Sequence, residues 1–316
     1  MNTFLSGKTI SIVIPILNEE LNILPIFEAI SIVLKKINVN PEFIFVNDGS
    51  NDSSLALLRE LAEKNNEVKV LSFTRNFGHQ AAITAGLDIA TGDAVVTMDS
   101  DFQDPPEVIY EMVNKWMEGN KIIYGRRSLR KDSFFKRTTA KVYYKLLYKA
   151  SEIKIMGNIG DFRLLDKSVV CELRLMKEKN RYLRGMVPWL GFSYAIVDYV
   201  RPIRKKGKTG FSFLKMMRFA MTGILNFSLF PLRLGLVMGM FIIATGILFL
   251  IYLAIRFFFD DQFYKLLEWL AVVNYILIGF LFILVWIVAE YIGRIYDEVK
   301  GRPLYVIETK INVAEK

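Results

Sequence analysis

The pair Asp99 and Asp101 follows an apolar run at 94–98 and is the first candidate for chemistry in the chain. Carboxylate oxygens at alternate positions can bind Mg²⁺ or Mn²⁺, and the oxygens of a diphosphate can complete the shell of such an ion. Gln103 continues the same spacing with a neutral oxygen, and two prolines at 105–106 end the strand and begin the next helix. Because D-x-D pairs are also common in surface turns, the prediction of a cation site depends on their position after a buried strand.

Two further acidic segments follow earlier apolar runs. In FVNDGSNDSS (45–54), Asp48 ends the run and is placed to accept a hydrogen bond from a base or a ribose, whereas Asp52 can cap the helix that follows. In PILNEE (15–20), Glu19 comes after the first apolar run, where it could face the same nucleotide. The pattern therefore predicts a nucleotide site next to the cation site.

These polar residues require elements that bring them together. Apolar, β-branched runs predict strands at 10–15, 42–46, 68–73, 94–98 and 121–125. Helix-period segments lie between them at 20–36, 52–64, 79–90 and 106–118. Strands that alternate with helices of this length indicate βαβ units and an α/β fold with a mostly parallel sheet. Ligands of such sheets bind beyond the carboxyl ends of the strands, which is where the polar segments fall.

The sequence disfavours two common classes of nucleotide-binding protein. No G-x-G-x-x-G follows the first predicted strand, as a dinucleotide-binding dehydrogenase requires, and the chain lacks the Walker lysine motif of a P-loop NTPase. Its one histidine, His79, follows Gly78 and is expected to begin a helix near the nucleotide site. A single histidine cannot build a histidine metal centre, and no catalytic role is assigned to it.

Two C-terminal runs of uncharged apolar residues, at 234–255 and 269–289, are each long enough to cross about 30 Å of hydrocarbon as a helix. The formal net charge is +9, and basic residues precede the first run and follow the second. This distribution predicts a multi-pass protein of the cell membrane, with the large domain and both termini in the cytoplasm, rather than a nucleic-acid-binding protein. The single cysteine, Cys171, permits no internal disulfide, in agreement with a reducing compartment.

The predicted organisation has four parts. Residues 1–210 form the α/β domain, 211–232 an interfacial amphipathic helix, 233–294 a two-helix transmembrane anchor and 295–316 a cytoplasmic tail. The basic helical segment 136–149 either lies on the membrane surface or packs as a solvated helix on its own domain. A G-x-x-x-G in the first apolar run predicts close helix contact, within the pair or between protomers of a homo-oligomer.

Four motifs, in this order, make the chain resemble the GT-A glycosyltransferases of family 2: PILNEE, NDGSNDSS (47–54), RNFGHQAAITAG (75–86) and MDSDFQDPPE (98–107). With GDFRLLD (160–166), YLRGMVPWLG (182–191) and the two apolar runs, the chain is most similar to the polyisoprenyl-phosphate branch, which includes bactoprenol glucosyltransferases and dolichol-phosphate mannose synthases. This resemblance covers nearly the whole chain. It implies a GT-A, Rossmann-like fold and an inverting, metal-dependent transfer of a hexose to a polyprenyl phosphate at the cytoplasmic membrane face.

The resemblance also implies the substrates and the residues that bind them. UDP-glucose is the expected donor, GDP-mannose or another nucleotide sugar is the alternative, and Mg²⁺ or Mn²⁺ is the expected cofactor. The residues expected to bind the nucleotide sugar are Pro15, Leu17, Glu19, Val46, Asp48, Asp99 and Ser100. Those expected to hold the cation are Asp99, Asp101 and Gln103, and those expected to be catalytic are Asp101, Asp161 and Arg127. For Asp161 two interpretations stay open: it orients the acceptor or a sugar hydroxyl, or it pairs with Arg163.

Arginines are expected to bind the phosphate groups of the donor or the lipid, and the resemblance indicates Arg127 and Arg204. Relatives often read R-x-x-G-x-S-K-Y near Arg204, and the lysine of that motif is missing here, so Lys206 or Lys208 is the candidate to replace it. A lipid phosphate is already an anionic nucleophile, and its transfer reaction therefore needs little general-base help.

Two other functions compete with this one. A processive polysaccharide synthase would share the N-terminal motifs, but the chain lacks the Q-x-x-R-W motif and the additional spans of such enzymes. A membrane scaffold or small lipid carrier with a degenerate enzyme domain would not need an intact acidic set. Asp48, Asp99, Asp101 and Gln103 are all present, which favours an enzyme.

Overall fold

The computed structural model describes residues 7–127, 159–179, 181–200, 240–241, 244–249, 251–252, 255 and 263–313. The predicted interfacial segments 136–149 and 211–232 lie outside the described residues, as do Arg204, Lys206 and part of the first apolar run. The chain divides into two compact units. The first comprises Met1–Tyr148, Ile153–Lys215 and Pro303–Lys316, and the second comprises Lys149–Glu152 and Met216–Arg302.

The first unit contains an eight-stranded sheet with the strand order β7-β5-β6-β4-β1-β2-β3-β8. The strands are β1 (Thr9–Ile16), β2 (Asn40–Asn47), β3 (Val68–Phe73), β4 (Ala94–Thr97), β5 (Ile122–Arg127), β6 (Ile159–Asp166), β7 (Tyr194–Tyr199) and β8 (Ile307–Ile311). The central strands β4, β1, β2 and β3 are parallel, and β5 is parallel to β7. Since β6 and β8 pair antiparallel with their neighbours, the sheet is mostly parallel, as the sequence predicts.

Helices connect the strands in the order that the sequence predicts. They are α1 (Ile23–Ile37), α2 (Ser54–Lys64), α3 (His79–Ile89), α4 (Val108–Met117), α5 (Lys167–Leu175) and α6 (Leu183–Trp189). The five predicted strands and four predicted helices are all present, with ends that differ from the predicted ones by at most three residues. Three strands (β6, β7 and β8) and two helices (α5 and α6) were not predicted.

Both faces of the parallel strands are buried, which explains why their sequences are continuously apolar. Ile12 and Ile14 of β1 belong to the main hydrophobic core, which also contains Ile26 and Ile30 of α1. Val13 lies on the opposite face under α3, where a Cβ on Gly86 would come within 2.2 Å of its Cγ1. This close approach brings α3 onto the sheet and so places the start of the helix beyond the strand ends.

The C-terminal segment differs from the predicted tail 295–316. Residues up to Val299 continue a helix, and Ile307–Ile311 forms β8 at the edge of the sheet, antiparallel to β3. Tyr305 stacks on Phe73 with a centroid distance of 5.0 Å, and its hydroxyl donates a hydrogen bond to Asp88 Oδ2 at 2.8 Å. The segment therefore contributes backbone and side-chain contacts to the α/β unit.

The second unit contains α7 (Phe263–Val299), a helix of 37 residues. Within it, Leu277–Val299 is long and apolar enough to cross a membrane, with a mean hydropathy of 1.9 and none of its most apolar window buried. This candidate span begins and ends later than the predicted run 269–289. It is the one such helix among the described residues, so the predicted pair of spans is not confirmed.

Candidate active site

The carboxyl ends of β1, β2 and β4 lie along one edge of the sheet because the three strands are parallel neighbours. Pro15 and Val46 are register partners, and both are buried, so they form the floor of this edge. Leu17 is 43% exposed just beyond the floor. The loops that follow β1 and β2 are joined by hydrogen bonds, from Asn18 N–H to Ser50 Oγ at 3.0 Å and from Asn51 N–H to Asn18 Oδ1 at 2.8 Å.

Glu19 is half-buried at the same edge, and its Oε2 accepts a hydrogen bond from Asn22 Nδ2 at 2.5 Å. Its backbone N–H donates to Ser54 Oγ at 3.2 Å, which fixes the loop against the start of α2. The predicted nucleotide-binding residues Pro15, Leu17, Glu19 and Val46 are thus brought together by the sheet. No ligand tests their role, which stays a prediction.

Asp48 is buried at the end of β2 and binds the loop that follows β3. Its Oδ1 accepts a hydrogen bond from Phe77 N–H at 2.7 Å, and its Oδ2 accepts one from Gly78 N–H at 3.0 Å. Burial raises the pKa of this carboxyl, although the two backbone donors act in the opposite direction. Gly49 has a φ of +70°, and a Cβ there would lie 2.6 Å from the backbone of Arg75. The two loops therefore touch, and Asp48 positions the start of α3.

Asp99 lies at the end of β4 with 31% of its side chain exposed, and its Oδ1 is 2.8 Å from Nε2 of His79. Burial would raise the pKa of Asp99, but the hydrogen bond and the charge of His79 outweigh it and lower the pKa. Burial likewise opposes the charged imidazole, yet the contact with Asp99 raises the pKa of His79 to about 9. The two side chains therefore form an ion pair at neutral pH, at a histidine to which the sequence assigned no role.

The other residues of the D-x-D segment fold back on one another. Asp101 Oδ1 accepts a hydrogen bond from Gln103 N–H at 3.1 Å, and Phe102 between them has a φ of +59°. Ser100 is buried, whereas Asp101 and Gln103 are partly exposed. The turn keeps Asp101 and Gln103 close in space as well as in sequence.

The donor set fits a hard divalent cation whose shell is completed by a ligand. Asp99, Asp101 and Gln103 supply oxygen atoms, which is the ligand type that Mg²⁺ and Mn²⁺ prefer. Within the part of the chain that the structure describes, no group of three or more His, Cys, Asp or Glu side chains is arranged to hold a metal by itself. Water and the phosphate oxygens of a bound nucleotide could provide the remaining ligands.

Arg127 ends β5 and belongs to a chain of polar contacts. Its Nε donates to the hydroxyl of Tyr199 at 3.2 Å, and that hydroxyl donates to Asp104 Oδ1 at 2.6 Å. Burial and the charge of Asp99 raise the pKa of Asp104 to about 6. A Cβ on Gly160 would lie 2.9 Å from Arg127 Nη2, so the guanidinium packs directly against this glycine. Arg127 Nη2 is also 3.7 Å from Asp104 Oδ1, so Arg127 lies close to the D-x-D segment, and its catalytic role stays a prediction.

Asp161 lies beside Asp99 because β6 is antiparallel to β4. The register pairs Thr97, the last residue of β4, with Arg163. Asp99 follows this pair by two residues and Asp161 precedes it by two, and the charge of Asp161 acts on Asp99. Asp161 Oδ1 accepts a hydrogen bond from Arg163 Nη2 at 2.7 Å, and Oδ2 accepts one from Arg184 Nη2 at 2.8 Å. Of the two interpretations of Asp161, the pairing with Arg163 is therefore observed.

Sequence reasoning missed three residues of this site, Asp104, Arg184 and Tyr199, and it placed His79 near the site without its pairing to Asp99. Their partners come from other βα units, and neither composition nor spacing links Tyr199 to Asp104 or Arg184 to Asp161. The one available signal for His79 was its place directly after Gly78, where a strand end passes into α3.

A mostly parallel sheet, with a D-x-D segment at the end of a central strand and two further loops beside it, defines a GT-A-like α/β fold. The crystal structure of mannosyl-3-phosphoglycerate synthase from Rubrobacter xylanophilus resembles the chain with a TM-score of 0.51. The sequence identity is 16%, and the match covers 68% of this chain and 71% of that one. This likeness supports the fold.

The chain belongs to glycosyl transferase family 2, whose domain matches residues 11–174. The uncharacterized glycosyltransferase YkcC of Bacillus subtilis (strain 168) is 43% identical over 310 residues, which are 97% of this chain and 95% of the relative. A prophage-derived bactoprenol glucosyl transferase of Shigella flexneri is 39% identical over 307 residues, which are 95% of this chain and 97% of that protein. The resemblance inferred from the motifs is confirmed, and the protein is a glycosyltransferase.

Proposed function

We propose that this glycosyltransferase moves glucose from UDP-glucose to a polyprenyl phosphate at the cytoplasmic face of the membrane, with inversion and with a divalent cation. The observation that carries the proposal is the convergence of Asp99, Asp161 and Arg127 at the carboxyl edge of the sheet, beside the D-x-D turn. Similarity over most of the chain to a bactoprenol glucosyl transferase supports the lipid acceptor and the glucose. The apolar helix Leu277–Val299 supports attachment to the membrane.

The residues of the site suit a reaction between two anionic substrates. Asp99, Asp101 and Gln103 would hold Mg²⁺ or Mn²⁺, which would neutralise charge on the departing nucleoside diphosphate. Arg127 lies near these carboxylates and is oriented by Tyr199, so it can bind a phosphate of the donor or the lipid. The loops after β1 and β2 would enclose the nucleotide, with Leu17 and Glu19 at its entrance.

An acceptor that is already ionised removes the need for a strong general base in the site. The carboxylate of Asp161 accepts hydrogen bonds from two arginines, and their charges outweigh the effect of its burial and hold its pKa well below the usual range. A carboxylate in this environment is a weak proton acceptor. A lipid phosphate can attack without one, so this chemistry agrees with the proposed acceptor.

The experiment is a transfer assay with the purified full-length protein in detergent. Labelled UDP-glucose, Mg²⁺ and undecaprenyl phosphate should give a labelled glycolipid, and parallel reactions with labelled GDP-mannose test the alternative donor. An Asp99→Ala, Asp101→Ala double variant should abolish the product. Asp198→Asn is the matched control, because Asp198 forms an exposed ion pair with Arg126 and should leave transfer unchanged.

Three outcomes would contradict different parts of the proposal. Transfer to water or to a growing glycan, but not to lipid phosphate, would refute the acceptor. A glycolipid formed only from GDP-mannose would refute the donor. Full transfer by the double variant, or full transfer in the presence of a chelator, would refute the role given to the cation.

A further inference from the structure

Asp161 carries more positive charge around it than one carboxylate requires. Arg163 and Arg184 both donate to it, with Nη2 to oxygen distances of 2.7 and 2.8 Å, and Arg184 Nε lies 3.3 Å from Oδ1. A buried carboxylate can be held by two guanidinium groups for structural reasons alone. The surroundings of each arginine therefore decide which of the two is available to a ligand.

The two arginines differ in exposure and in partners. Arg163 is buried, with 2% of its side chain exposed, and its guanidinium also donates to the carbonyl oxygens of Leu183 and Gly160 at 3.1 and 3.3 Å. Arg184 has 33% of its side chain exposed. Arg163 is therefore a structural residue inside the domain, whereas part of the Arg184 side chain stays accessible to solvent.

The position of Arg184 is fixed from three directions. The backbone on its N-terminal side is held at Leu183, whose carbonyl accepts from Arg163 and whose N–H donates to Gln80 Oε1 at 3.2 Å. Its own guanidinium is held by Asp161. Since Gln80 follows His79 in the first turn of α3, these contacts bring Arg184 beside the His79–Asp99 pair. In agreement, the charge of Arg184 acts on both Asp99 and His79.

We infer that Arg184, positioned by Asp161, binds a phosphoryl group next to the D-x-D segment and shares this task with Arg127. The inference rests on the proposed function, in which two phosphate-bearing substrates meet at this edge. A guanidinium that is oriented by a carboxylate presents a rigid set of donors, and it loses less side-chain entropy when an anion binds. Asp161 is then a positioning residue that acts through Arg184, and Arg163 keeps Asp161 ionised.

The phosphoryl group belongs either to the diphosphate of the donor or to the monophosphate of the lipid, and two measurements separate these sources. The first is the affinity of the full-length protein for UDP with Mn²⁺, measured by calorimetry. The second is the KM for undecaprenyl phosphate at saturating nucleotide sugar. Arg184→Gln should weaken one of the two by about 10- to 100-fold, the effect of losing a hydrogen bond to a charged group. Arg184→Lys should recover part of the loss because it keeps the charge.

A double-mutant cycle tests the role of Asp161. If Asp161 acts through Arg184, Asp161→Asn should weaken the same parameter, and the Asp161→Asn, Arg184→Gln double variant should lose little more than Arg184→Gln alone. A base would behave differently, since its loss would lower kcat, leave phosphate affinity unchanged and add to the effect of Arg184→Gln. Thermal unfolding of each variant checks that it is folded, and Arg184→Gln is decisive by itself if Asp161→Asn does not fold.

Arg126→Gln is the matched control, because Arg126 forms the same kind of fork with Asp198, at 2.6 Å for both contacts, on the exposed end of β5. It should change neither parameter. If wild-type protein binds UDP and transfers sugar while Arg184→Gln matches it in both measurements, the assignment of Arg184 is wrong and the proposed function stands. If the wild-type protein neither binds UDP nor modifies the lipid, both proposals are overturned.

Discussion

Buried carboxylates lie at both ends of the sheet, and their surroundings differ. At the amino ends of the strands, Glu42 is 5% exposed and all its contacts are internal. Its Oε1 accepts from Lys69 Nζ at 2.5 Å and from Thr91 Oγ1 at 2.6 Å, and its Oε2 accepts from Thr91 N–H at 2.9 Å and from Ser11 Oγ–H. One cation and three neutral donors satisfy a single carboxylate, and nothing in this cluster faces a ligand.

At the carboxyl ends of the strands, the charged side chains are partly accessible to a ligand. Asp99 and His79 are 31% and 43% exposed, and Arg127 and Arg184 nearby are 26% and 33% exposed. Both clusters contain a carboxylate that pairs with a cation. A single buried carboxylate with internal partners distinguishes the structural cluster, whereas exposure and several cations around a few carboxylates distinguish the functional one.

The largest expected effect is on activity, from Asp99→Asn. Loss of one carboxylate from a cation site removes several kcal/mol of transition-state stabilisation, or about a thousandfold in rate. The thermal midpoint should change little, because His79 can turn to water when it loses its partner. The initial rate of lipid glycosylation measures the activity, and thermal unfolding monitored by tryptophan fluorescence measures the midpoint. If a stable Asp99→Asn variant kept the wild-type rate, the cluster at the carboxyl ends of the strands would be structural, like that around Glu42.

Glu42→Gln should have the opposite profile. The substitution leaves Lys69 without its counter-charge and places an amide NH₂ against the donors of Thr91, which costs about 3 kcal/mol of unfolding free energy. Transfer activity per folded molecule should stay at the wild-type level. Urea unfolding measures the unfolding free energy. The rate of sugar transfer at low urea concentration measures the activity per folded molecule. Lys115→Gln, which breaks the exposed pair with Glu118, is the control and should change neither.

The sequence predicts the parallel half of the sheet well, because each of its elements has a hydrophobic pattern within its own residues. Apolar β-branched runs alternate with amphipathic helices from β1 to β5, and each element can be recognised from its own period. β6 is harder, because IGDFRLLD places Asp161 and Arg163 inside the domain, where they satisfy each other. β8 is a five-residue edge strand with one exposed face. Its partner β3 lies more than 230 residues earlier in the chain, so no local pattern reveals the pairing.

The sequence predicts the site in part, for a related reason. Asp99, Asp101 and Gln103 share one turn, so their spacing is visible in the sequence. His79 and Arg184 gain their roles from contacts between βα units, and only the register of the sheet brings them to Asp99 and Asp161. The family resemblance was needed to select Arg127 and Asp161 among many charged residues. It did not distinguish a carboxylate that binds a ligand from one that positions an arginine.

A smaller effect should follow from Tyr305→Phe, which tests whether the structural contacts of the domain extend to the segment after α7. The substitution removes the hydrogen bond to Asp88 and keeps the ring that stacks on Phe73, so about 1 kcal/mol of stability should be lost. The thermal midpoint should fall by a few degrees. Activity at 25 °C should not change. An unchanged midpoint together with lower activity would mean that β8 contributes to the site rather than to stability.

The pH dependence of stability should have opposite signs at the two ends of the sheet, and its contribution from His79 is the smallest effect of all. The pKa of Glu42 is lowered below its ordinary value of 4.5, because its hydrogen bonds outweigh its burial. The stability it provides is therefore present above that pH and disappears as the pH falls through the lowered pKa. Stability measured for wild type and Glu42→Gln should converge in acid.

The pKa of His79 is raised from 6.5 to about 9, despite its burial, by the contact with Asp99. Its contribution is complete below pH 6.5 and disappears as the pH rises through 9. Because the pair is partly exposed, the difference between wild type and His79→Gln at pH 6 should be less than about 1 kcal/mol. Thermal midpoints of wild type and His79→Gln should therefore converge at alkaline pH, where those of wild type and Glu42→Gln remain apart. If the thermal midpoints of wild type and His79→Gln still differed at pH 10, His79 would stabilise the domain by packing. The ion pair with Asp99 would then not be the source of its contribution.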